Sequence, residues 1–199
     1  MNSNKTINEY LSQADWRVKE NSQTNYSFSG LQGHVSNSVL VEWALENMYT
    51  GEISKAHEDA IYHIHDISHP IVGYCAGWSM EDLLRKGFSC GPDFINSAPA
   101  KHLDALYGQL NNFIFTLTGE WAGAQALNSF DTFSAGFIKK DHMSESAVYR
   151  VLRRLIFDLN IKTRIAMQSP FSNISVDLTV PDDLKYKPVI IGGEEQDFT

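Results

Sequence analysis

Residues 168–181 read QSPFSNISVDLTVP. After Pro170, Ile174, Val176, Leu178 and Val180 alternate with Asn173, Ser175, Asp177 and Thr179. A period of two is the signature of a strand with one apolar and one polar face. Long helical patterns precede this segment, and strands separated by long helices predict an α/β layout.

Working back along the chain, a helix is expected from Ser144, burying Val148, Val151, Leu152, Leu155 and Leu159. Residues 120–138, EWAGAQALNSFDTFSAGFI, are rich in small side chains and predict close helix packing. Pro99 opens the strongest helical pattern, with Leu103, Leu106, Leu110, Phe113, Ile114 and Leu117 in one stripe and Gly119 at its end. Ser79 and Asp82 form a capping-box pattern, with Gly87 as the stop. IYHIHD, 61–66, predicts a short half-buried strand. From Ser36 a helix is expected with Leu40, Trp43, Ala44 and Met48 on one face. Residues 1–30 are polar and predict an extended segment, leaving 31–199 as one domain. At the other end, GGEEQDFT has turn chemistry but no closing element, so the chain reads as cut.

The 199 residues are 43% hydrophobic and 12% aromatic, enough for a sizeable core. A net charge of -8 without a Lys/Arg-rich stretch argues against a nucleic-acid binder. With no long apolar run and no secretory pattern at the N-terminus, a cytoplasmic protein without a membrane span is expected. Cys75 and Cys90 are expected to be free thiols.

Four groups could carry chemistry. His57, His63, His65, Asp66 and His69 could reach one metal if 61–66 were a strand, or could simply hydrogen-bond in a polar barrel mouth. A metal-dependent hydrolase would need further ligands, and only His102 and His142 follow, so no metal is assigned. Cys75, beside a strand end, is either a redox thiol or a packing residue. Lys101 and His102 at a helix start could bind phosphate or form a solvated first turn. Asn173 and Ser175 could meet substrate hydroxyls or line a filled barrel.

Six stretches, in order and in register, settle the choice: NYSFSGLQGH (25–34), HIHDISHP (63–70), YCAGWSMEDLLRKGF (74–88), SAPAKH (97–102), residues 120–138 and QSPFSNISVDLTVP. Together they resemble the glycyl-radical catalytic subunit of anaerobic (class III) ribonucleoside-triphosphate reductase, N-terminal portion only. The resemblance implies a helix-rich α/β fold, the first part of a ten-stranded barrel. It also implies conversion of ribonucleoside triphosphates to deoxyribonucleoside triphosphates by glycyl and thiyl radical chemistry.

On this resemblance Cys75 is the reducing thiol of the first barrel strand, and His65, Asn173 and Ser175 are substrate-binding. Lys101 and Gln109 belong to the surface for deoxynucleoside triphosphate and ATP effectors. The pairing appears here as Pro99-Ala100-Lys101, one residue wider than in the family. On the same resemblance the finger-loop cysteine, a structural zinc site and the radical glycine are expected to fall beyond this chain, and an ATP-cone module is expected to be absent. The expected partners are the remaining C-terminal part of the reductase, an activating enzyme using S-adenosylmethionine and an iron–sulfur cluster, and a second copy in a homodimer. This chain alone is expected to bind no cofactor and to be inactive. The alternative is a non-catalytic nucleotide-binding or dimerisation module derived from the reductase.

Overall fold

The computed structural model describes residues 3–14, 26–93, 96–164 and 168–198. The chain forms two compact units. One comprises Met1–Tyr74, Gly119–Ala122 and Lys162–Ser169; the other comprises Cys75–Thr118, Gly123–Ile161 and Pro170–Thr199.

The first unit is helical. α1 (Ser3–Ser12) occupies part of the segment expected to be extended. Thr6 and Tyr10, four residues apart, give it a single buried stripe, and that stripe is what a short polar helix needs to persist. The Tyr10 hydroxyl exchanges hydrogen bonds with the Ser27 backbone at 3.1 Å, and its ring stacks on Tyr26 at 5.5 Å. Residues 15–25 lie outside the described residues.

α2 (Phe28–Asn47) starts eight residues before the expected Ser36. Ser27 is the reason: it is extended, at φ −158°, and its hydroxyl accepts from the Gly30 N–H at 3.0 Å. Of the face expected to be buried, Ala44 is fully covered while Trp43 is 44% exposed. α3 (Gly51–Glu58) is capped by Thr50 in the same way.

IYHIHD forms no strand. Ala60, at φ 56°, ends α3 in the left-handed region, and Asp66 takes the same region at φ 49°. The Ile64 N–H goes to the His57 imidazole rather than to a neighbouring strand, and Ile61 is 75% exposed. Alternation without a partner strand leaves the backbone to find local acceptors.

The second unit holds a three-stranded parallel sheet, β1 (Ala76–Trp78), β2 (Gln125–Leu127) and β3 (Ser172–Ile174), in that order. Its register aligns Ala76 with Gln125 and Ser172, Gly77 with Ala126 and Asn173, and Trp78 with Leu127 and Ile174. The helix-rich α/β class is as expected. The long final strand is not: pairing covers only 172–174, and Leu178 is 99% exposed.

α4 (Met80–Lys86) runs from Ser79, whose hydroxyl accepts from the Asp82 N–H, to Gly87 at φ 72°. Only glycine fits there, because a Cβ on Gly87 would lie 2.2 Å from the Ser97 carbonyl oxygen. α5 (Leu103–Leu117) begins four residues after Pro99 and is the spine of the core, with Leu103, Leu106, Leu110 and Ile114 almost fully buried. Each contributes about 1.5–3 kcal/mol by leaving water.

The stretch 120–138 is not all helix, since β2 interrupts it before α6 (Phe130–Lys140). The close approach at Gly136 is to a loop rather than to a helix, since a Cβ there would meet Val189 Cγ1 at 2.2 Å. α7 (Glu145–Leu159) starts at Ser144 as expected, although only Leu155 is fully buried.

The turn chemistry of GGEEQDFT builds a short hairpin. β4 (Ile190–Ile191) and β5 (Glu194–Glu195) pair antiparallel through Gly192 and Gly193, both at positive φ. That is the tight hairpin for which a glycine pair is suited. Ile190 and Ile191 enter the core cluster.

Candidate functional site

The parallel sheet is covered on one side and open on the other. Gln125 and Leu127 are buried, and Trp78 donates its indole N–H to Gln125 Oε1 at 2.7 Å. The intervening row, Gly77, Ala126 and Asn173, carries little bulk, and a Cβ on Gly77 would meet nothing within 4 Å. Side chains alternate across a sheet, so Cys75, two residues before Gly77, belongs to the open side with Asn173.

Cys75 immediately precedes β1 and is an exposed free thiol. Its sulfur accepts a hydrogen bond from the Ala124 N–H at 3.2 Å, and the next residue's N–H donates to the Ala124 carbonyl at 3.1 Å. The thiol is therefore fixed at the start of the sheet rather than after a strand at 61–66. An exposed free thiol of this kind is accessible to partners in redox or nucleophilic chemistry.

Ser175 holds structure. Its hydroxyl accepts from the Ser129 N–H at 2.8 Å and its carbonyl from the Phe130 N–H at 2.9 Å. These bonds keep Ser129 left-handed, at φ 45° and ψ 43°, where α6 begins. Asp177 adds two more ties to the same helix start, through Thr132 and Asp131. Asn173 stands exposed in the middle of β3.

His65 lies in the other unit. Its Nδ1 sits 2.8 Å from Asp66 Oδ2 and 3.2 Å from the Tyr74 hydroxyl, and its ring neighbours that of His63 at 6.0 Å. Among the described residues, no group of three or more His, Cys, Asp or Glu side chains could hold a metal. His69 is pushed below its ordinary pKa, first by burial and then by the Arg164 guanidinium, with Asp66 opposing. Burial likewise lowers Arg164, whose Nη2 donates to the Ala122 carbonyl at 2.9 Å.

Lys101 lies two residues before α5 and lines a cavity of about 220 Å3 with Lys140, Ile191, Gly192, Glu194 and Gln196. Lys140 Nζ donates to the Lys101 carbonyl at 2.9 Å, and His102 Nδ1 meets the Asp141 carboxylate at 3.0 Å. A small cavity lined by two lysines, with one carboxylate at Glu194, can take a phosphate-bearing ligand. Lys140 was missed in the sequence, where its only sign is a basic pair in the last turn of a helix. Gln109 is buried, and its amide donates to Ser97 Oγ and the Ala98 carbonyl, so it supports that loop from behind.

Residues 20–197 match the family of anaerobic ribonucleoside-triphosphate reductases. The chain belongs to that family. Its fold resembles the anaerobic ribonucleotide reductase of Thermotoga maritima in complex with dATP and CTP, at a TM-score of 0.65 and 19% identity, covering 86% of this chain and 34% of that one. The same enzyme with dATP in its specificity site gives 0.65 and 20%, again over 86% and 34%. A further anaerobic ribonucleotide reductase gives 0.64 and 22%, over 84% of this chain and 30% of that one. The chain thus spans about a third of the length of these structures. No curated protein matches it. Among the described residues, no helix is long and apolar enough to cross a membrane.

Proposed function

We propose that the chain is part of an anaerobic ribonucleotide reductase and contributes one thiol, from Cys75, to the reduction of ribonucleoside triphosphates. The observation that carries this reading is the exposed, backbone-anchored sulfur of Cys75 at the head of a parallel sheet with an open face. In this reading the three strands begin a ten-stranded barrel that the rest of the reductase completes. Replacing a 2′-hydroxyl by hydrogen releases water and consumes two electrons and two protons. A pair of thiols closing to a disulfide supplies both, and Cys75 is one of that pair. Asn173 meets the substrate, and Lys101 with Lys140 takes the phosphates of a nucleoside triphosphate effector. The radical comes from the activating enzyme and the remainder of the reductase, so the chain is inactive alone.

A second reading, a non-catalytic dimerisation module, draws on the outer side of α7, where Tyr149, Ile156 and Phe157 are 65%, 55% and 72% exposed. Anaerobic assay separates the two. The first reading expects no deoxynucleotide from the chain alone, and product when it is combined with the rest of the reductase, activating enzyme and reductant. Failure of the combined system, with a stable dimer of the chain, would favour the second. Turnover by the chain alone would overturn the proposed dependence on a partner polypeptide.

A further inference from the structure

Gln125 is polar, yet it lies in the middle strand of the parallel sheet and has no exposed surface. A buried carboxamide must find partners at both its ends or cost folding free energy. The indole N–H of Trp78 can only donate, so its 2.7 Å bond fixes Gln125 Oε1 toward Trp78. The other end, Nε2, then donates to the Gly123 carbonyl at 3.3 Å.

That carbonyl and the Ala124 N–H are the two ends of one peptide group, and the Ala124 N–H is the donor to the Cys75 sulfur at 3.2 Å. Three bonds therefore run head to tail, from the indole through the carboxamide and one peptide group to the sulfur. An amide that accepts at its oxygen becomes a stronger donor at its N–H, so each link strengthens the next by about 10–30%. The frame is held independently, because the Ala76 N–H donates to the Ala124 carbonyl at 3.1 Å and the Gln125 N–H to that of Phe171 at 2.9 Å.

We propose that Gln125 is a positioning residue for Cys75: it orients and polarises the Gly123–Ala124 peptide, so that a strengthened N–H donor meets the sulfur when it carries negative charge. The purpose of the relay rests on the reading of Cys75 as the reducing thiol, but the relay itself is tested without turnover.

The 199-residue chain is equilibrated anaerobically with reduced and oxidised glutathione, and the mixed disulfide at each cysteine is measured by peptide mass spectrometry. A protein thiol and glutathione disulfide exchange to a mixed disulfide and one glutathione, so no other reactant enters. Cys90, the other exposed free thiol, is the internal control. Gln125→Met keeps the volume and removes both side-chain bonds, whereas Trp78→Phe removes only the first donor. At about pH 9.5, above the ordinary thiol value, the exchange consumes the anion that the relay favours. There the mixed disulfide at Cys75 becomes about three- to fivefold more favoured in Gln125→Met and about twofold in Trp78→Phe, with Cys90 unchanged. At about pH 6 the difference shrinks, because a neutral thiol holds a donor more weakly than its anion does. Should Gln125→Met fail to fold, Trp78→Phe decides alone. No shift at Cys75 in a folded variant, or an equal shift at Cys90, would overturn the proposal. So would an equal shift at both pH values, which would mean a displaced sulfur rather than a lost donor. Full product from Cys75→Ser in the complete reductase overturns the reducing role and with it the relay's purpose. An unshifted equilibrium beside an inactive Cys75→Ser overturns the relay alone.

Discussion

The sulfur of Cys75 accepts the backbone N–H of Ala124 at 3.2 Å, although the two residues are 49 positions apart in the chain. The bond ties the thiol to the chain just ahead of the central strand β2, so the position of Cys75 depends on the sheet and not on its own loop. Serine can accept the same hydrogen bond. Cys75→Ser in the complete reductase is therefore expected to leave thermal stability within about 1 kcal/mol of the parent. Multiple-turnover deoxynucleotide formation collapses, while formation of the glycyl radical, read by electron paramagnetic resonance, persists. Cys90→Ser leaves both unchanged. Full product yield from Cys75→Ser would return Cys75 to a packing role.

Lys101 and Lys140 share one cavity, so each should contribute to the binding of a phosphorylated effector. A charge-assisted hydrogen bond is worth about 1.5–3 kcal/mol, so Lys101→Ala or Lys140→Ala should weaken nucleoside triphosphate effector binding by about tenfold or more. Isothermal titration of the complete enzyme measures this. Unchanged affinity in both variants would place the effector elsewhere.

Phe137, with no exposed surface, packs in the same core cluster as Leu106 and Leu110. Phe137→Ala is expected to cost about 3–5 kcal/mol and Leu110→Ala about 2–5 kcal/mol, the removed contacts adding to the cavity left behind. Urea denaturation of the chain checks both. A loss below about 1 kcal/mol in either would mean that this core is not packed as described.

The folded-state pKa of His69 is lowered by burial and by Arg164. The unfolded chain therefore takes up a proton first as pH falls through the ordinary histidine value of 6.5. Stability is fully present above that value and is lost as pH drops from it to the lower folded-state pKa. Below that, both states carry the proton and the slope vanishes. His69→Gln should flatten this part of the curve of urea midpoint against pH. An identical slope in the variant would assign the titration to another group.

Only 172–174 of the alternating C-terminal stretch enter the sheet, and Val176, Leu178 and Val180 are exposed. Amides of 178–180 are expected to exchange with solvent far faster than those in the middle of α5. Equal protection of the two regions would show a longer strand than the one described.

Much of the second unit was legible because its signals are local. Ser79, Gly87 and Ser144 mark helix ends by hydrogen bonds within a few residues, and the α5 stripe carries its periodicity within one element. What failed depends on distant partners. β2 is three residues long inside a run of small side chains, and its buried polar Gln125 is satisfied by Trp78, far back in the chain. IYHIHD and 176–180 have strand periodicity without a strand to receive them. Cys75 was legible as a thiol near a strand end, but its anchor at Ala124 was not, because a backbone donor leaves no mark in the sequence. Lys140 meets Lys101 only through the packing of α6 beside the start of α5.

The sheet register has a consequence during synthesis. Ala76 pairs with Gln125, and Gln125 with Ser172, so 96 residues separate the first strand from the third. At about 5–20 residues per second, roughly 5–20 s pass on the ribosome between the appearance of β1 and that of β3. From the emergence of β2, 47 positions before β3, until β3 follows, β2 has at most one neighbour and an open hydrogen-bonding edge. The nascent chain therefore carries an exposed edge beside the strand that Cys75 precedes, and shielding it falls to the helices or to whatever binds the chain as it emerges.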